Sequence, residues 1–208
     1  MWMWFSSLAM AASPSPYPEL QIAVHGGLVQ PLLVRGFNAA VDVRAGRFVA
    51  SYSHGEGLDF TRTPGVLPDA QREVGVTVRQ PWTTGFGIGA SVVDELTVLV
   101  DFKVHRIEVD TGLDVAAYST VTLGGEVGYR LFVVDNFFIH PVVRFWPTIA
   151  TTAPNGFQLE TEAGAFQHDP LPVGAGSFFA NVLVGYAFDV KGTRRTFTLF
   201  GKKRARKD

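Results

Sequence analysis

The 208-residue chain contains no cysteine, so disulfides and thiolate metal centres are excluded. It also lacks any run of roughly 18 apolar residues, so no transmembrane helix is encoded, and a membrane-crossing chain of this kind must cross with strands. Charged residues are sparse at 18%, while hydrophobic residues reach 47%, a balance that excludes intrinsic disorder. No metal-ligand motif of the HExxH type occurs. Gly85, Gly87 and Gly89 alternate, but no strand, Gly turn and helix follow one another there as a phosphate loop requires. Small residues at that spacing instead relieve crowding inside a tightly curved sheet.

What is present is a period of two. Before Asp135-Asn136, the residues Val121, Leu123, Val127, Tyr129 and Leu131 alternate with Thr122, Gly124, Glu126, Gly128 and Arg130. After it, Phe137, Ile139, Pro141, Val143 and Phe145 alternate with Phe138, His140, Val142, Arg144 and Trp146. This is the strand signature, and Asp-Asn supplies a tight turn between two strands. One face is apolar and aromatic; the other carries Glu126, Arg130, His140 and Arg144. A soluble lipocalin-like barrel or sandwich buries its apolar face, whereas a membrane barrel turns that face to lipid and its polar face inward. Charges on one face with aromatics on the other favour the membrane arrangement.

Eight strands are expected: Leu20–Val29, Phe37–Arg44, Arg47–Leu58, a fourth ending at Val93 and starting as early as Glu73, Leu96–Val109, Ser119–Phe132, Phe137–Thr148 and Ser177–Asp189. Short connections at 44–47, 93–95 and 133–136 alternate with longer ones at about 30–36, 59–72, 110–118 and 149–176. Short turns on one rim and long loops on the other are the habit of outer-membrane barrels. The expected fold is an all-β, eight-stranded antiparallel transmembrane barrel with up-and-down topology, spanning residues 20–190.

Two terminal segments flank it. Residues 1–19 read as an apolar, then Pro-rich leader in which Ala9-Met10-Ala11 fits a signal-peptide cleavage pattern without the usual basic start; a shortened signal peptide is expected, with an ordinary apolar tail as the alternative. Residues 191–208 are a basic tail. Residues 1–190 hold ten basic and eighteen acidic residues, whereas 191–208 hold eight basic and one acidic. The tail suits anionic headgroups or a periplasmic polyanion on the short-turn side.

The segment Gly124–Asn136, GGEVGYRLFVVDN, resembles a strand-and-turn unit of small bacterial outer-membrane barrels, the OmpA-like and OmpW-like eight-strand group. Gly87–Thr97, GIGASVVDELT, repeats the pattern, and Gly185-Tyr186-Ala187-Phe188 is similar to their aromatic terminal strand. Chains of that group usually finish at the terminal Phe; this one continues, and Phe200 after RTFTL offers a second end. The resemblance implies an outer-membrane location with lipid as partner.

Alternation places Asp42, Arg44, Asp101, Lys103, His105, Glu126, Arg130, His140 and Arg144 on the inward face. A narrow eight-strand interior is filled by side chains, and charges there must be paired, so these nine are expected to form a polar plug. Counted from the short-turn rim, Asp101, Glu126 and His140 fall at similar heights on adjacent strands, a combination able to bind a divalent metal or transfer protons. Ser51, Ser53 and His54, with His25 on the first strand, offer hydrolase chemistry, although Ser53 and His54 point to opposite faces. Tyr52, Trp82, Tyr129, Trp146 and Tyr186 read as interfacial girdle or core, and His168 sits in the longest loop. The expected function is a non-enzymatic barrel with a structural or surface-interaction role, with no cofactor, no metal and no nucleic-acid partner. A small-molecule or lipid conduit and a lipid-modifying enzyme are the alternatives.

Overall fold

A computed structural model describes residues 18–63, 66–93, 95–154, 156–168 and 178–191. The leader to residue 17 and the tail from 192 lie outside the described residues. The wall of a closed antiparallel barrel is built from β1 (Leu20–Gly27), β2 (Phe37–Ala45), β3 (Phe48–Asp59), β4 (Thr77–Val93), β5 (Leu96–Asp110), β6 (Val115–Tyr129), β7 (Leu131–Val134), β8 (Phe137–Phe145), β9 (Thr148–Thr151) and, after a hairpin of β10 (Phe157–Thr161) and β11 (Gly164–His168), β12 (Phe178–Lys191). β6 and β7 are one strand interrupted at Arg130, and β8 and β9 are one strand interrupted at Trp146-Pro147, which gives eight wall strands. Each pairs with its sequence neighbour, and β1 pairs with β12 to close the ring.

Turn chemistry explains the short rim. Asp135 adopts φ 39 between β7 and β8, a left-handed conformation that Asp tolerates better than most side chains. Gly46, at φ 56, turns β2 into β3, and its N–H donates to Pro18 O at 3.2 Å, which places the start of β1 on the same rim. The opposite rim carries a short helix α1 (Val29–Leu33), a second α2 (Asp69–Glu73) and the β10–β11 hairpin.

Two expectations are corrected. Residues 110–118 are not a long loop, because β5 runs to Asp110 and β6 resumes at Val115. The intervening turn closes on itself: Asp110 Oδ1 accepts from Gly112 N at 2.8 Å and Thr111 Oγ1 accepts from Asp114 N at 2.9 Å. Nor does the fourth strand begin at Glu73, which ends α2 instead.

The alternation of faces is unbroken along β5 and shifts by one residue on β3 at Gly57 and on β4 at Gln80-Pro81, and what it exposes changes along β4, β5 and β6. Lower on β5, Val98 and Val100 are exposed outside, while Thr97, Leu99, Asp101, Lys103 and His105 are buried inside. Beyond His105 the pattern exchanges: Arg106, Glu108 and Asp110 face out, and Ile107 and Val109 face in. On β4 the exchange falls at a bulge where Gln80 and Pro81 stand between the Arg79↔Glu108 and Trp82↔Arg106 pairs. Pro81 suits this place because it has no N–H to give the ladder. Above the exchange, Val76, Val78, Ile107, Val109 and Tyr118 form an apolar core with Leu67, Ala153 and Leu159 from the loops. The β10–β11 hairpin is tied to it by Tyr118 Oη and His168 Nε2 at 3.2 Å, and to the β5–β6 turn by Glu160 N donating to Asp114 Oδ2 at 3.0 Å.

Candidate functional site in the barrel interior

All nine charged or imidazole side chains placed inward by alternation are buried, from Arg44 at 0% to Arg144 at 6% exposed. A carboxylate or guanidinium isolated there would be very costly, so the question is which groups meet.

Nearest the short-turn rim, Arg44 on β2 reaches across the lumen. Its Nη1 donates to Glu95 Oε2 at 2.9 Å and its Nη2 to Thr97 Oγ1 at 3.3 Å. Beside it, Arg130 donates to Asp42 Oδ2 through Nη2 and to Gln21 Oε1 at 3.2 Å through Nη1. Gln21 passes the chain on, donating to Asp189 Oδ1 at 2.7 Å. Asp42 Oδ2 also lies 3.0 Å from His25 Nε2. The planar five-donor fork of Arg suits such a junction, where one side chain must bind two strands at once. The backbone holds this junction in place as well: past Leu96↔Tyr129 the β5–β6 pairing gains one more hydrogen bond, Arg130 N donating to Glu95 O at 3.2 Å.

Higher in the lumen, Arg144 Nε donates to Glu126 Oε2, its cross-strand partner in the β6–β8 register. Lys103 Nζ donates to Ser53 Oγ. Trp146 is inside the barrel and 6% exposed, in the core rather than the girdle. Its indole N–H donates to Asp101 Oδ2 at 3.3 Å, and its ring lies 4.8 Å from Lys103 Nζ and 5.0 Å from the Arg144 guanidinium, so two cations share one aromatic ring system. Above them His105 is held between Thr83 Oγ1 at 2.8 Å and Thr122 Oγ1 at 3.1 Å. Gly85 and Gly87 make this crowding possible: a Cβ at Gly85 would collide with Lys103, and one at Gly87 with the Asp101 carboxylate.

The metal or proton-transfer trio that a count from the turns offers does not assemble. Asp101 pairs with Gly124, Glu126 with Leu99 and Arg144, and His140 with Leu183, so the stagger of the barrel sets the three at different levels. Among the described residues no group of three or more His, Asp or Glu side chains could hold a metal ion. The hydrolase set does not converge either. Ser53 is engaged with Lys103 and His25 with Asp42, while His54 faces outward and pairs with Glu56 at 3.1 Å. His140 is 2% exposed, and neither ring nitrogen has a hydrogen-bond partner among the described residues; its ring packs edge-on against His25 at 6.0 Å and Phe138 at 6.3 Å. On the long-loop rim, burial pushes the Asp59 carboxyl up, but hydrogen bonds from Thr61 and the nearby Arg35 and Arg79 outweigh it, and the group titrates below its ordinary value.

Alternation did not find Glu95, Gln21 or Asp189. Glu95 stands beside the β4–β5 turn, where an acid reads as solvated; the signal that points to it is the unbalanced cation Arg44 across the lumen. The chain matches no protein-family model and no curated protein. Among solved structures it is similar to the crystal structure of a major outer membrane protein from Thermus thermophilus, at 12% identity over 81% of this chain and 98% of that chain, with a TM-score of 0.37.

Proposed function

We propose that the chain is a bacterial outer-membrane barrel of the OmpA-like or OmpW-like kind, with a structural or surface-interaction role and an interior closed by a charge plug. One observation carries the reading: Val24, Val41, Val43, Phe86, Ile88, Val100, Val127, Val143 and Phe188 lie exposed outside the same wall segments whose inner face holds Asp42, Arg44, Asp101, Glu126 and Arg144. Water on both sides would leave that outer belt unstable, whereas hydrocarbon outside and paired charges inside satisfy both faces. Trp82, Tyr52, Tyr129 and Tyr186 stand exposed on the outer face, where aromatic residues anchor a barrel at the interface.

The plug role rests on the pairing just described. Arg44, Lys103, Arg130 and Arg144 each donate to a side chain from another strand, so the interior ties strands together. Purified protein refolded into phosphatidylcholine vesicles tests both parts. Protease-resistant, heat-modifiable protein with no single-channel conductance is the expected result. Monodisperse protein in detergent-free buffer overturns the membrane reading, and steady conductance overturns the plug. Anionic headgroups or a periplasmic polyanion are the proposed partners of the basic tail, whose charges cannot enter hydrocarbon.

A further inference from the structure

The wall strands end differently at the long-loop rim. β4, β5 and β6 run on as a soluble sheet, but β1 stops at Gly27. After one more backbone bond, Leu28 N to Val182 O at 2.9 Å, the chain turns into α1. β1 is 8 residues long, close to the ~9–11 that a tilted strand uses to cross hydrocarbon, so α1 starts near the height at which β5 exchanges its outer face. The helix is held at both ends: Val29 N donates to Asn181 Oδ1 at 3.3 Å, Asn181 Nδ2 to Gln30 Oε1 at 3.0 Å, and Asp59 N to Val34 O at 2.7 Å. These bonds fix which way it faces. Gln30 and Val34, one turn apart, are buried, while Val29, Leu32 and Leu33, spaced by three and four, form the other face. Val29 borders the same stretch of outer wall as Ala180 and Val182, so this second face is turned away from the barrel. On it Leu32 and Leu33 are 75% and 73% exposed; they belong to no core of this chain.

We infer that α1 is an interfacial helix: its Val29, Leu32 and Leu33 face dips into the acyl chains just below the headgroups of the leaflet on the long-loop side. The inference rests on the membrane reading above. Strand parity does not account for this face, because the stripe has the spacing of a helix and stands past the end of β1. A helix face turned to water is ordinarily polar. The other rim helix obeys that rule: α2 carries Asp69, Gln71, Arg72 and Glu73. α1 has no charged residue. The large apolar residues of the other long connections, Leu67 and Leu159, are buried in the upper core, whereas Leu32 and Leu33 are turned outward and held there by the Gln30–Asn181 bond. Charge returns just past the helix at Arg35, which is exposed and lies near Asp59, so the apolar face is bounded by polar groups as an in-plane position at the interface requires.

The experiment uses the full chain refolded into dioleoylphosphatidylcholine vesicles. The chain has no cysteine, so Leu32→Cys, Leu33→Cys, Val100→Cys and Asp69→Cys each accept a single nitroxide label. Collision of the label with oxygen, which concentrates in hydrocarbon, is compared with collision with a water-soluble nickel chelate. The oxygen-to-nickel ratio at Leu32 and Leu33 is expected to lie several-fold above that at Asp69 and to approach that at Val100. Both leucines are exposed, so a label at either disturbs no core, and the second position serves should one variant fail to fold. Ratios at Leu32 and Leu33 equal to that at Asp69, with Val100 rich in oxygen, overturn the interfacial helix and leave the membrane reading standing. Poor access of both reagents to Leu32 and Leu33 means that protein covers α1, and overturns it too. Nickel-accessible labels at all four positions overturn the membrane reading and the helix inference with it.

Discussion

Two sections of β5 carry the same alternation and opposite chemistry. From Val98 to His105 the outside is hydrocarbon-like and the inside is ionic; from Arg106 to Asp110 the outside is ionic and the inside is Ile107 and Val109. The backbone, pairing and twist are continuous across the exchange, since β5 is paired with β6 at every residue from Leu96 to Asp110. The medium outside therefore decides which face is apolar. Below His105 that medium is the proposed bilayer; above it the strands behave as an ordinary soluble sheet, with Leu67, Tyr118 and Leu159 as a core and an Arg79↔Glu108 pair on the surface.

The comparison is broken most severely inside the lower section. Arg130→Ala removes the guanidinium that joins Asp42 to Gln21, leaving the buried Asp42 carboxylate with His25 alone, and should cost about 3–5 kcal/mol, read as a fall in the urea midpoint of unfolding from vesicles. A loss under about 1 kcal/mol, the worth of a solvated pair, would mean that water already reaches Asp42. On the outside of the same section, Val100→Arg should cost about 2–4 kcal/mol if Val100 lies near mid-bilayer, and much less in the upper section, where Glu108→Arg serves as the control. Equal costs at both positions would erase the boundary at His105. In the upper core, Ile107→Val should cost about 0.5–1.5 kcal/mol through a lost methylene, irrespective of lipid thickness. Smallest of all, Glu108→Gln should change stability by less than about 0.5 kcal/mol, because Glu108 is half-buried on the outer face and stands in register with an exposed Arg79, where a charge gains little in water.

Much of this was legible in the sequence because parity is local. A period of two sorts each residue to a face without knowledge of the partner strand, and the nine side chains that parity sends inward are buried. The exchange was also written there, in Ile107 and Val109 alternating with Arg106, Glu108 and Asp110, but an unbroken alternation along a strand hides a change of face midway. Partners were not legible. Arg44 meets Glu95, 51 positions away, and Arg130 meets Asp42, 88 away. Which strands come level depends on the accumulated stagger of the whole ring, a global quantity that no window of residues contains. The same stagger dispersed Asp101, Glu126 and His140, which a count from the turns had set side by side.

The Gln21–Asp189 hydrogen bond joins residues 168 positions apart, the longest separation among the lumen side-chain bonds of the described residues. It lies on the β1–β12 seam, where the first and last strands meet. Hairpins such as β7–β8 can pair as soon as their turn forms, but this seam waits for the complete ring and must overcome the loop entropy of nearly all of it. Until then Arg130 lacks a Gln21 fixed by Asp189, and the junction that joins β1, β2 and β7 is half assembled. Ring closure and charge pairing are thus one event in time, and an intermediate that has inserted its strands without closing exposes ionic groups that hydrocarbon will not accept. Closure of the β1–β12 seam is therefore expected to come last, and a chain truncated before Phe178 lacks the strand that β1 needs to close the ring.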